Sequence, residues 1–460
     1  MNLLSPVHFI GISGIGMSAL ARILLQRGCT VSGSSDRATP LTALLQAEGA
    51  TIAIGHAARN VDGAQTVVVS SAIVAGNPEV VAARERGLEI VRRGTLLAQL
   101  MHARRGIAIA GTHGKTTTTA MLAAVLEAGG LDPTVVVGGE RVDTATNARD
   151  GKGEWFLAES DESDGSFLDL RPEIGVVTNV ENDHVASAEE FERMRASFTG
   201  FLSGVPPNGL ALVGIDEPNG AALAAVLREA RTRTFGLSPA AAVRARGVSF
   251  SGFGSRSTIV VDGDERGELR LSVPGDMNVR NALPAVGVAL ELGMRFDDIA
   301  AALEAFRGVR RRFEIVARTP RMTVVDDYAH HPTAVAATLA AARGGFSGPI
   351  VVAFQPHRYS RTSYLAGDFA HALRGADRVL LTDVYAASEA PIDGVDARSI
   401  GEPLRAFGTE VEYVDDVERL PERVLALAPP GALVLFLGAG SITSAAAALG
   451  RELERGAVAP

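Results

Sequence analysis

The sequence predicts an α/β protein of three domains, and three observations support this prediction. Its 460 residues exceed the size at which a single hydrophobic core stops growing, and the length corresponds to about three domains. Short apolar runs alternate with helical patterns along most of the chain, as in parallel sheets covered by helices. Glycine turns follow two of these runs. We expect domains at 1–104, 105–319 and 320–460.

The composition excludes several classes of protein. Apolar residues make up 47% of the chain and no run approaches the 18 apolar residues of a membrane span, so we expect none. The N-terminus lacks the basic segment of a signal peptide, and the single cysteine, Cys29, excludes an internal disulfide; both favour the cytoplasm. A net charge of -9 without a basic block argues against nucleic acid as a partner, although local dipoles can still bind small anions.

The first domain is predicted to bind a nucleotide-like ligand. An apolar run at 7–10 leads into the turn Gly11-Ile12-Ser13-Gly14-Ile15-Gly16, a helix at about 17–26 and a strand at 30–33. This βαβ step, with glycines where the chain turns against a phosphate, is typical of a Rossmann-like parallel sheet. The spacing differs from the G-x-G-x-x-G of NAD enzymes and disfavours a redox cofactor. Asp36 lies about 20 residues beyond Gly16, where a ribose-binding acid is expected.

Polar residues end the next predicted strands of this domain, at 51–56 and 67–73. Ligands of parallel sheets collect at the carboxyl ends of strands, so His56, Ser70 and Ser71 are candidate contacts. Taken singly, each of the three is more typical of a solvated loop. A last strand and helix, at 88–101, close the domain.

The second domain opens with a phosphate loop. The apolar run 107–110 precedes Gly111-Thr112-His113-Gly114-Lys115-Thr116-Thr117-Thr118-Thr119, which begins an Ala/Leu-rich helix to about Ala128. Backbone N–H groups at such a helix start cradle the phosphates of a nucleoside triphosphate. The match to G-x-x-x-x-G-K-[ST] is incomplete, because Ile109 replaces the first glycine. Lys115 and Lys152 are the only lysines among 44 Lys and Arg, so a lysine in this loop indicates a compact charge that arginine cannot supply.

Two strand ends near this loop carry candidate metal ligands. The predicted strand 155–158 delivers Glu159 and three further carboxylates by Asp164, and the strand 174–177 leads to Asn179 and His184. Four crowded carboxylates repel each other unless a cation neutralises them; the alternative is a solvated acidic turn. With Thr116, Glu159 and His184 form a candidate Mg²⁺ (or Mn²⁺) site. Mg²⁺ prefers oxygen ligands, and His184 alone is more typical of a structural residue.

The remaining segments predict an antiparallel patch, a helix and a third α/β domain. Stretches within 248–273 alternate with a period of two, which is typical of antiparallel strands. Asn278 and Asn281 are three apart on one face of the following helix, where they read a base edge or cap the helix; the sequence leaves both open. Arg310-Arg311-Arg312 form a basic cluster at a predicted hinge.

Polar clusters follow three successive strands of the third, Rossmann-like domain. The strands are predicted at 322–325, 350–354, 379–381, 411–413 and 433–437, and the clusters at 326–332, 355–362 and 383–392. Because the clusters fall on one edge of a parallel sheet, they predict a binding face that closes on the nucleotide.

Five segments together resemble the Mur ligases, the ATP-dependent amide ligases of peptidoglycan synthesis. They are 9–18, 111–119, 161–167, 326–333 and 355–362, so the resemblance spans nearly the whole chain. It implies a first domain for a UDP-sugar, a central P-loop ATPase domain and a C-terminal domain that completes the ATP and amino-acid sites. It also implies UDP-N-acetylmuramate, L-alanine and ATP as substrates, an acyl phosphate intermediate, and a monomer or homodimer.

The resemblance also assigns residues to these roles. Catalytic roles fall to Lys115, His184 and Arg358. The metal ligands are Thr116, Glu159 and His184. ATP-side positions are Gly111, Thr112, His113, Gly114, Lys115, Thr116, Thr117, Asn278, Asn281, Arg312 and Asp327. UDP-sugar positions are Gly11, Ser13, Gly14, Gly16, Asp36, His56, Ser70, Ser71 and Asn179. The amino-acid positions are His357 and Arg358.

Two departures from the family pattern bear on the adenine contact and the outer metal shell. Met277 stands where a histidine is usual, and Val185-Ala186 follow His184 where Met-Asp is usual. No lysine follows Lys152, so the carbamoylated lysine of sibling ligases is absent, which favours the first ligase of the series. The alternatives are a recycling ligase that attaches a tripeptide to the same sugar nucleotide and, from another class, a nicotinamide-dependent dehydrogenase or a nucleotide-operated switch.

Overall fold

The computed structural model describes residues 5–160, 165–182, 187–227 and 231–458. Three separate β-sheets, each flanked by helices, give the chain the three-domain α/β architecture that the sequence predicts. The domain boundaries at 104 and 319 stay predictions. Within the described ranges, no helix is both long and apolar enough to cross a membrane.

The first sheet is parallel throughout and has the strand order β3-β2-β1-β4-β5. Its strands are β1 (Val7–Ile10), β2 (Val31–Ser35), β3 (Thr51–Ile54), β4 (Thr66–Val69) and β5 (Glu89–Arg92). Its helices are α1 (Ile15–Gln26), α2 (Pro40–Ala47), α3 (Pro78–Glu85) and α4 (Arg93–His102). The strand order reverses between β1 and β4, and the carboxyl ends of strands at such a point form the crevice where α/β sheets bind ligands.

The second sheet has ten strands in the order β15-β14-β13-β12-β11-β10-β6-β9-β7-β8. Its strands are β6 (Arg105–Ala110), β7 (Thr134–Val136), β8 (Ala148–Arg149), β9 (Trp155–Glu159), β10 (Ile174–Val177), β11 (Leu210–Gly214), β12 (Arg231–Gly236), β13 (Val243–Ser251), β14 (Gly254–Val261) and β15 (Asp264–Leu271). Its helices are α5 (Lys115–Ala128), α6 (Ala188–Ser203), α7 (Pro218–Val226), α8 (Asp276–Glu291) and α9 (Phe296–Ala305). Strands β6 and β10 pair in parallel, and all of their residues but Arg105 are buried, so the loops after them leave the sheet from a rigid centre.

The predicted antiparallel patch corresponds to β13, β14 and β15. Asp262 and Gly263 form the two-residue turn between β14 and β15, with φ angles of 52° and 91°. Positive φ at both positions is the requirement of the tight hairpin turn that Asp-Gly favours. The first strand of the patch begins at Val243, five residues before the predicted start.

The third sheet is mixed, with the order β16-β17-β21-β18-β19-β20. Its strands are β16 (Glu314–Arg318), β17 (Met322–Asp327), β18 (Ile350–Phe354), β19 (Arg378–Thr382), β20 (Glu410–Val414) and β21 (Ala432–Leu437). Its helices are α10 (Pro332–Gly345), α11 (Tyr359–Leu373), α12 (Arg398–Ala406), α13 (Leu420–Leu427) and α14 (Ile442–Val458). The parallel strands were predicted, whereas β16 adds an antiparallel edge that was not.

Two compact units divide the chain. Unit 1 comprises Met1–Arg246, Thr258–Glu268 and Arg280–Leu303, and unit 2 comprises Gly247–Ser257, Leu269–Val279 and Glu304–Pro460. The first sheet and most of the second therefore belong to one unit, and the third sheet belongs to the other.

A buried arginine joins the first domain to the central one within unit 1. Arg22 of α1 is 2% exposed, and its guanidinium donates to Glu48 at 2.9 Å, to Thr146 at 2.5 Å and to Asn147 at 2.9 Å. The amide of Asn147 in turn donates to the Ile15 carbonyl at 2.8 Å. Because a buried guanidinium must have its hydrogen-bond partners, these contacts hold α1 against the segment before β8.

We expect Arg22→Ala to lower the free energy of unfolding by about 1–3 kcal/mol, because it leaves the buried side-chain oxygen of Asn147 without its donor. Denaturant unfolding of the full chain measures this. Arg86→Ala is the matched control, since Arg86 pairs with Asp62 on the surface and such pairs contribute about 0–1 kcal/mol. Equal losses for the two variants would contradict the structural role of Arg22.

Candidate active site

The loop between β6 and α5 has a backbone that only glycine accommodates at two positions. Gly111 has a φ of 129°, and a Cβ there would lie 2.1 Å from the hydroxyl of Thr178. Gly114 has a φ of 81°, and a Cβ there would lie 2.2 Å from the amide oxygen of Asn281. Gly114 immediately precedes α5, so the loop directs its backbone toward the start of that helix, as the phosphate-loop prediction requires.

Two residues that follow β10 hold this loop. The Thr178 hydroxyl donates to the His113 carbonyl at 2.6 Å. The Asn179 side chain accepts from the His113 N–H at 2.8 Å and donates to the His113 carbonyl at 3.0 Å, while its own carbonyl accepts from the Thr112 N–H. Both ends of the Asn179 amide thus bind the loop. Its predicted contact with a UDP-sugar stays a prediction.

Lys115 folds back over the loop. Its ammonium donates to the carbonyl of Gly111 at 2.5 Å and to that of Thr112 at 3.2 Å. The next residues of α5, Thr116 and Thr117, are 5% and 8% exposed. The ammonium therefore lies against the carbonyl oxygens of the loop, and its contact with the terminal phosphates stays a prediction.

Two of the three predicted metal ligands are adjacent. The Thr116 hydroxyl donates to a carboxylate oxygen of Glu159 at 3.0 Å, and the other oxygen of Glu159 accepts from the Gly138 N–H at 2.7 Å. A hydroxyl and a carboxylate are oxygen donors of the kind that Mg²⁺ prefers, so this pair fits the predicted ion. The third predicted ligand, His184, lies outside the described residues, as do Asp161–Asp164 and Ala186.

A pair of carboxylates lies beside the loop, and sequence reasoning missed it. A carboxylate oxygen of Glu181 lies 3.4 Å from the imidazole Nε2 of His113. Burial raises the pKa of Glu217 to about 8, and the adjacent charge and hydrogen bond of Glu181 add to this increase. Because like charges near each other are unfavourable, the raised pKa of Glu217 favours its protonated form beside Glu181 near neutral pH.

The two predicted asparagines share helix α8 but lie in different units. Asn281 approaches Gly114 closely in unit 1, as described above. Asn278 lies in unit 2, is 7% exposed and donates from its side-chain amide to the Pro274 carbonyl at 2.7 Å. That bond favours a local role for the Asn278 amide at the start of the helix, while Asn281 is placed against the phosphate loop.

The glycine turn of the first domain lies at the carboxyl end of β1. The N–H of Gly11, whose φ is 76°, donates to the Ser34 carbonyl, and Gly14 precedes the first residue of α1. Gly16 lies in the first turn of that helix, and the Ser13 hydroxyl accepts from Ser35 at 2.8 Å. The turn therefore presents a helix N-terminus at the crevice of the first sheet, a usual site for anionic groups.

The other candidate contacts of the first domain follow β2, β3 and β4 at the same edge. Asp36 has an 88% exposed side chain, and its carboxylate lies 3.1 Å from Nε2 of His56. Ser70 is half-buried and Ser71 is exposed, both directly after β4, which ends at Val69. Parallel pairing brings the ends of these strands together, as predicted, and their contact with a ligand stays a prediction.

Asp327 and Arg312 hold the start of the third domain. The Asp327 carboxylate accepts from the N–H groups of Phe313 and Ala329, at 2.8 and 2.7 Å. Burial raises the pKa of Asp327, and the nearby charge of Arg312 opposes this increase. The Arg312 guanidinium lies 5.0 Å from the centre of the Tyr328 ring.

His357 and Arg358 follow β18, where the amino-acid site was predicted. The His357 ring stacks on Tyr385 with 5.5 Å between ring centres, and His330 meets its edge at 5.6 Å. Burial, with the charges of Arg361 and Arg358, lowers the pKa of His357 to about 4, so the ring is neutral near neutral pH. Arg358 adopts a φ of 71° immediately before α11 and is half-exposed. No individual role was predicted for Tyr328, His330 or Tyr385. Their place in the polar clusters after the strands is the sequence signal by which they could have been found.

Family models match three consecutive segments of the chain. The model described as Mur ligase family, catalytic domain, matches residues 6–105; the Mur ligase middle domain matches 109–289; and the Mur ligase, glutamate ligase domain matches 311–440. Together the three models span most of the chain.

Full-length relatives agree with these matches. The UDP-N-acetylmuramate--L-alanine ligase of Geotalea uraniireducens is 46% identical over 440 residues, which cover 95% of this chain and 96% of that protein. The ligase of the same name from Acidithiobacillus ferrooxidans is 47% identical over 454 residues, 97% of each chain. The crystal structure of the UDP-N-acetylmuramate-alanine ligase MurC from Thermotoga maritima superposes with a TM-score of 0.86 at 32% identity, covering 98% of this chain and 99% of that one. The chain belongs to the Mur ligase family.

Proposed function

We propose that the chain joins L-alanine to the lactyl carboxylate of UDP-N-acetylmuramate, with hydrolysis of ATP to ADP and phosphate, in peptidoglycan synthesis. The observation that carries this proposal is the 46–47% identity, over nearly the full length of both chains, to ligases of that name. The substrates, a nucleoside triphosphate and a sugar nucleotide, favour a cytoplasmic location. We expect the enzyme to be a monomer or a homodimer.

The phosphate loop is proposed to bind ATP. Its backbone N–H groups and the ammonium of Lys115 would stabilise the negative charge that the γ-phosphoryl group carries during transfer. The lactyl carboxylate attacks the γ-phosphorus and the bond to ADP breaks, which gives an acyl phosphate. Asn281, which packs against Gly114, supports this assignment because it fixes the last residue of the loop.

Thr116 and Glu159 are proposed to hold Mg²⁺ together with His184. The oxygen ligands of the first two residues and their 3.0 Å separation support this assignment. When bound, the ion supplies positive charge that neutralises phosphate oxygens. Gly138 orients Glu159 through its N–H, so the carboxylate keeps one oxygen directed at Thr116.

The second half of the reaction is proposed to use residues of unit 2. The amine of L-alanine attacks the acyl carbon, a tetrahedral intermediate forms, and phosphate leaves as the amide forms. Arg358 supplies a guanidinium for the carboxylate of the amino acid, a pairing that can be bidentate. His357 is neutral near neutral pH and is proposed to lie beside the amino acid together with Arg358.

Phosphate release from the purified chain tests the activity. With ATP, Mg²⁺ and UDP-N-acetylmuramate, we expect turnover with L-alanine, and comparison with L-serine and glycine ranks the amino acids. Turnover with the tripeptide L-alanyl-D-glutamyl-diaminopimelate alone would contradict the proposal in favour of the recycling ligase. Nucleotide hydrolysis that is indifferent to the carboxylate acceptor would indicate a nucleotide-operated switch.

We expect Lys115→Arg to reduce turnover by at least about a hundredfold, because the broad guanidinium cannot take the place of a compact charge between phosphate oxygens. Steady-state phosphate release measures this loss, and an unchanged melting temperature shows that the variant is folded. Lys152→Arg makes the same chemical change at the other lysine, which is exposed, and is expected to keep full turnover. Activity retained by Lys115→Arg would refute the role of the ammonium.

Gly114→Ala is expected to lower turnover about tenfold or more, because its Cβ would lie 2.2 Å from the Asn281 side chain and displace the loop. Gly130→Ala is the matched control: Gly130 has a similar φ of 74°, but no atom lies within 4 Å of the added Cβ. Both variants carry the strain of a positive φ, about 1–2 kcal/mol, so the difference in turnover isolates the contact at the loop. Equal turnover of the two variants would contradict the contact.

A further inference from the structure

A carboxylate is fully buried beneath the crevice of the first sheet. Glu79, in the first turn of α3, has no exposed surface, and its side chain accepts from the Ser34 hydroxyl at 2.6 Å and from the Asn60 amide at 2.5 Å. The Ala57 N–H makes a longer contact at 3.4 Å. A buried charge without partners is strongly unfavourable, and here three donors from two segments of the chain, β2 and the turn after β3, converge on it.

Two histidines complete the surroundings of Glu79. The His56 Nδ1 lies 3.2 Å from its carboxylate, and the Nε2 of His8, on β1, lies 3.6 Å away in a ring that is 1% exposed. Burial alone raises the pKa of Glu79, but the nearby ring of His8 and hydrogen bonds from Ser34, Asn60 and His56 outweigh it and lower the pKa to about 2. Glu79 is therefore an anion near neutral pH.

The imidazole of His56 links this buried charge to the crevice. Its Nδ1 faces inward, toward Glu79 and the Ser34 hydroxyl, at 3.2 and 3.0 Å. Its Nε2 faces outward, 3.1 Å from the exposed carboxylate of Asp36. Because an anion accepts from Nδ1, that nitrogen must carry a proton, and this fixes both the orientation of the ring and the atom that it presents at the carboxyl edge of the sheet.

We propose that Glu79 is a positioning residue for the sugar nucleotide: it holds His56 through Nδ1 so that Nε2, beside Asp36, faces the uridine diphosphate group. This inference rests on the proposed function, because it assigns the occupant of the crevice. Sequence reasoning selected His56 and Asp36 but not Glu79, which lies 23 residues beyond His56 and has no motif of its own. A residue that only filled space here would be neutral, because burial opposes a charge at this position.

Calorimetric titration of the full chain with UDP-N-acetylmuramate tests the inference without turnover. We expect Glu79→Gln to weaken binding about tenfold or more. The substitution replaces one carboxylate oxygen by an amide N–H₂, which cannot accept from the donors that surround this side chain. ATP binding, measured in the same way, should not change. Glu85→Gln is the matched control on the same helix, because Glu85 is exposed, and it should bind as the wild type does.

A double variant separates positioning from packing. If Glu79 acts through His56, then His56→Ala with Glu79→Gln binds no more weakly than His56→Ala alone. Losses that add in the double variant would overturn the inference, as would unchanged binding by Glu79→Gln when the wild type binds the sugar nucleotide. Absence of binding by the wild type itself would instead overturn the proposed function, and the inference with it.

A measurement on the wild type covers the case in which Glu79→Gln does not fold. Long-range ¹H–¹⁵N spectra of the histidine rings report which nitrogen carries a proton, and loss of one signal in His56→Ala identifies the ring. The inference expects a protonated Nδ1 in His56. An unprotonated Nδ1 would overturn it.

Discussion

The arrangement of the central domain depends on the backbone of residues 111–114. Two glycines adopt φ angles of 129° and 81°, with no space for a Cβ at either, and this conformation sets where α5 begins. Asn179 and Thr178, which follow the neighbouring strand β10, bind the loop through hydrogen bonds to His113. The start of α5 sets the positions of Lys115 and Thr116, and the Thr116 hydroxyl donates to Glu159. The positions of Lys115 and Thr116 thus follow from one short turn between a buried strand and a helix.

Much of the fold could be predicted from periodicity, because buried parallel strands and long helices have strong local patterns. The helix Lys115–Ala128 and the strands Ile174–Val177 and Ile350–Phe354 were predicted to the residue. The antiparallel edge strand Glu314–Arg318 was missed: it is partly exposed and interrupted by a bulge, so its side chains do not alternate. The strand predicted at 67–73 ends at Val69, because the polar residues after it belong to the loop at the edge of the sheet.

The residues of the candidate site also differ in how well the sequence could predict them. Residues within a local motif, such as Gly114 and Lys115, could be found because the motif carries its own geometry. Residues that act across the fold could not be placed: Asn179 reaches the loop over 66 positions, and the pKa of Glu217 depends on a neighbour that only folding supplies. The neutral state of His357 likewise results first from its burial, which a sequence does not display, and the charges of Arg361 and Arg358 add to it.

The contacts of Arg22 also bear on how this protein can be divided or recombined. They link the first 104 residues to Thr146 and Asn147, and Arg27 makes a second link to Asp150 at 2.7 Å. Excision of the first domain would expose the Asn147 amide and the Asp150 carboxylate to water and would leave an arginine of α1 without its acceptors. The first domain is therefore held to the central one by polar contacts. Chimaeras between relatives would have to transfer the segment 146–150 together with α1 to preserve these contacts.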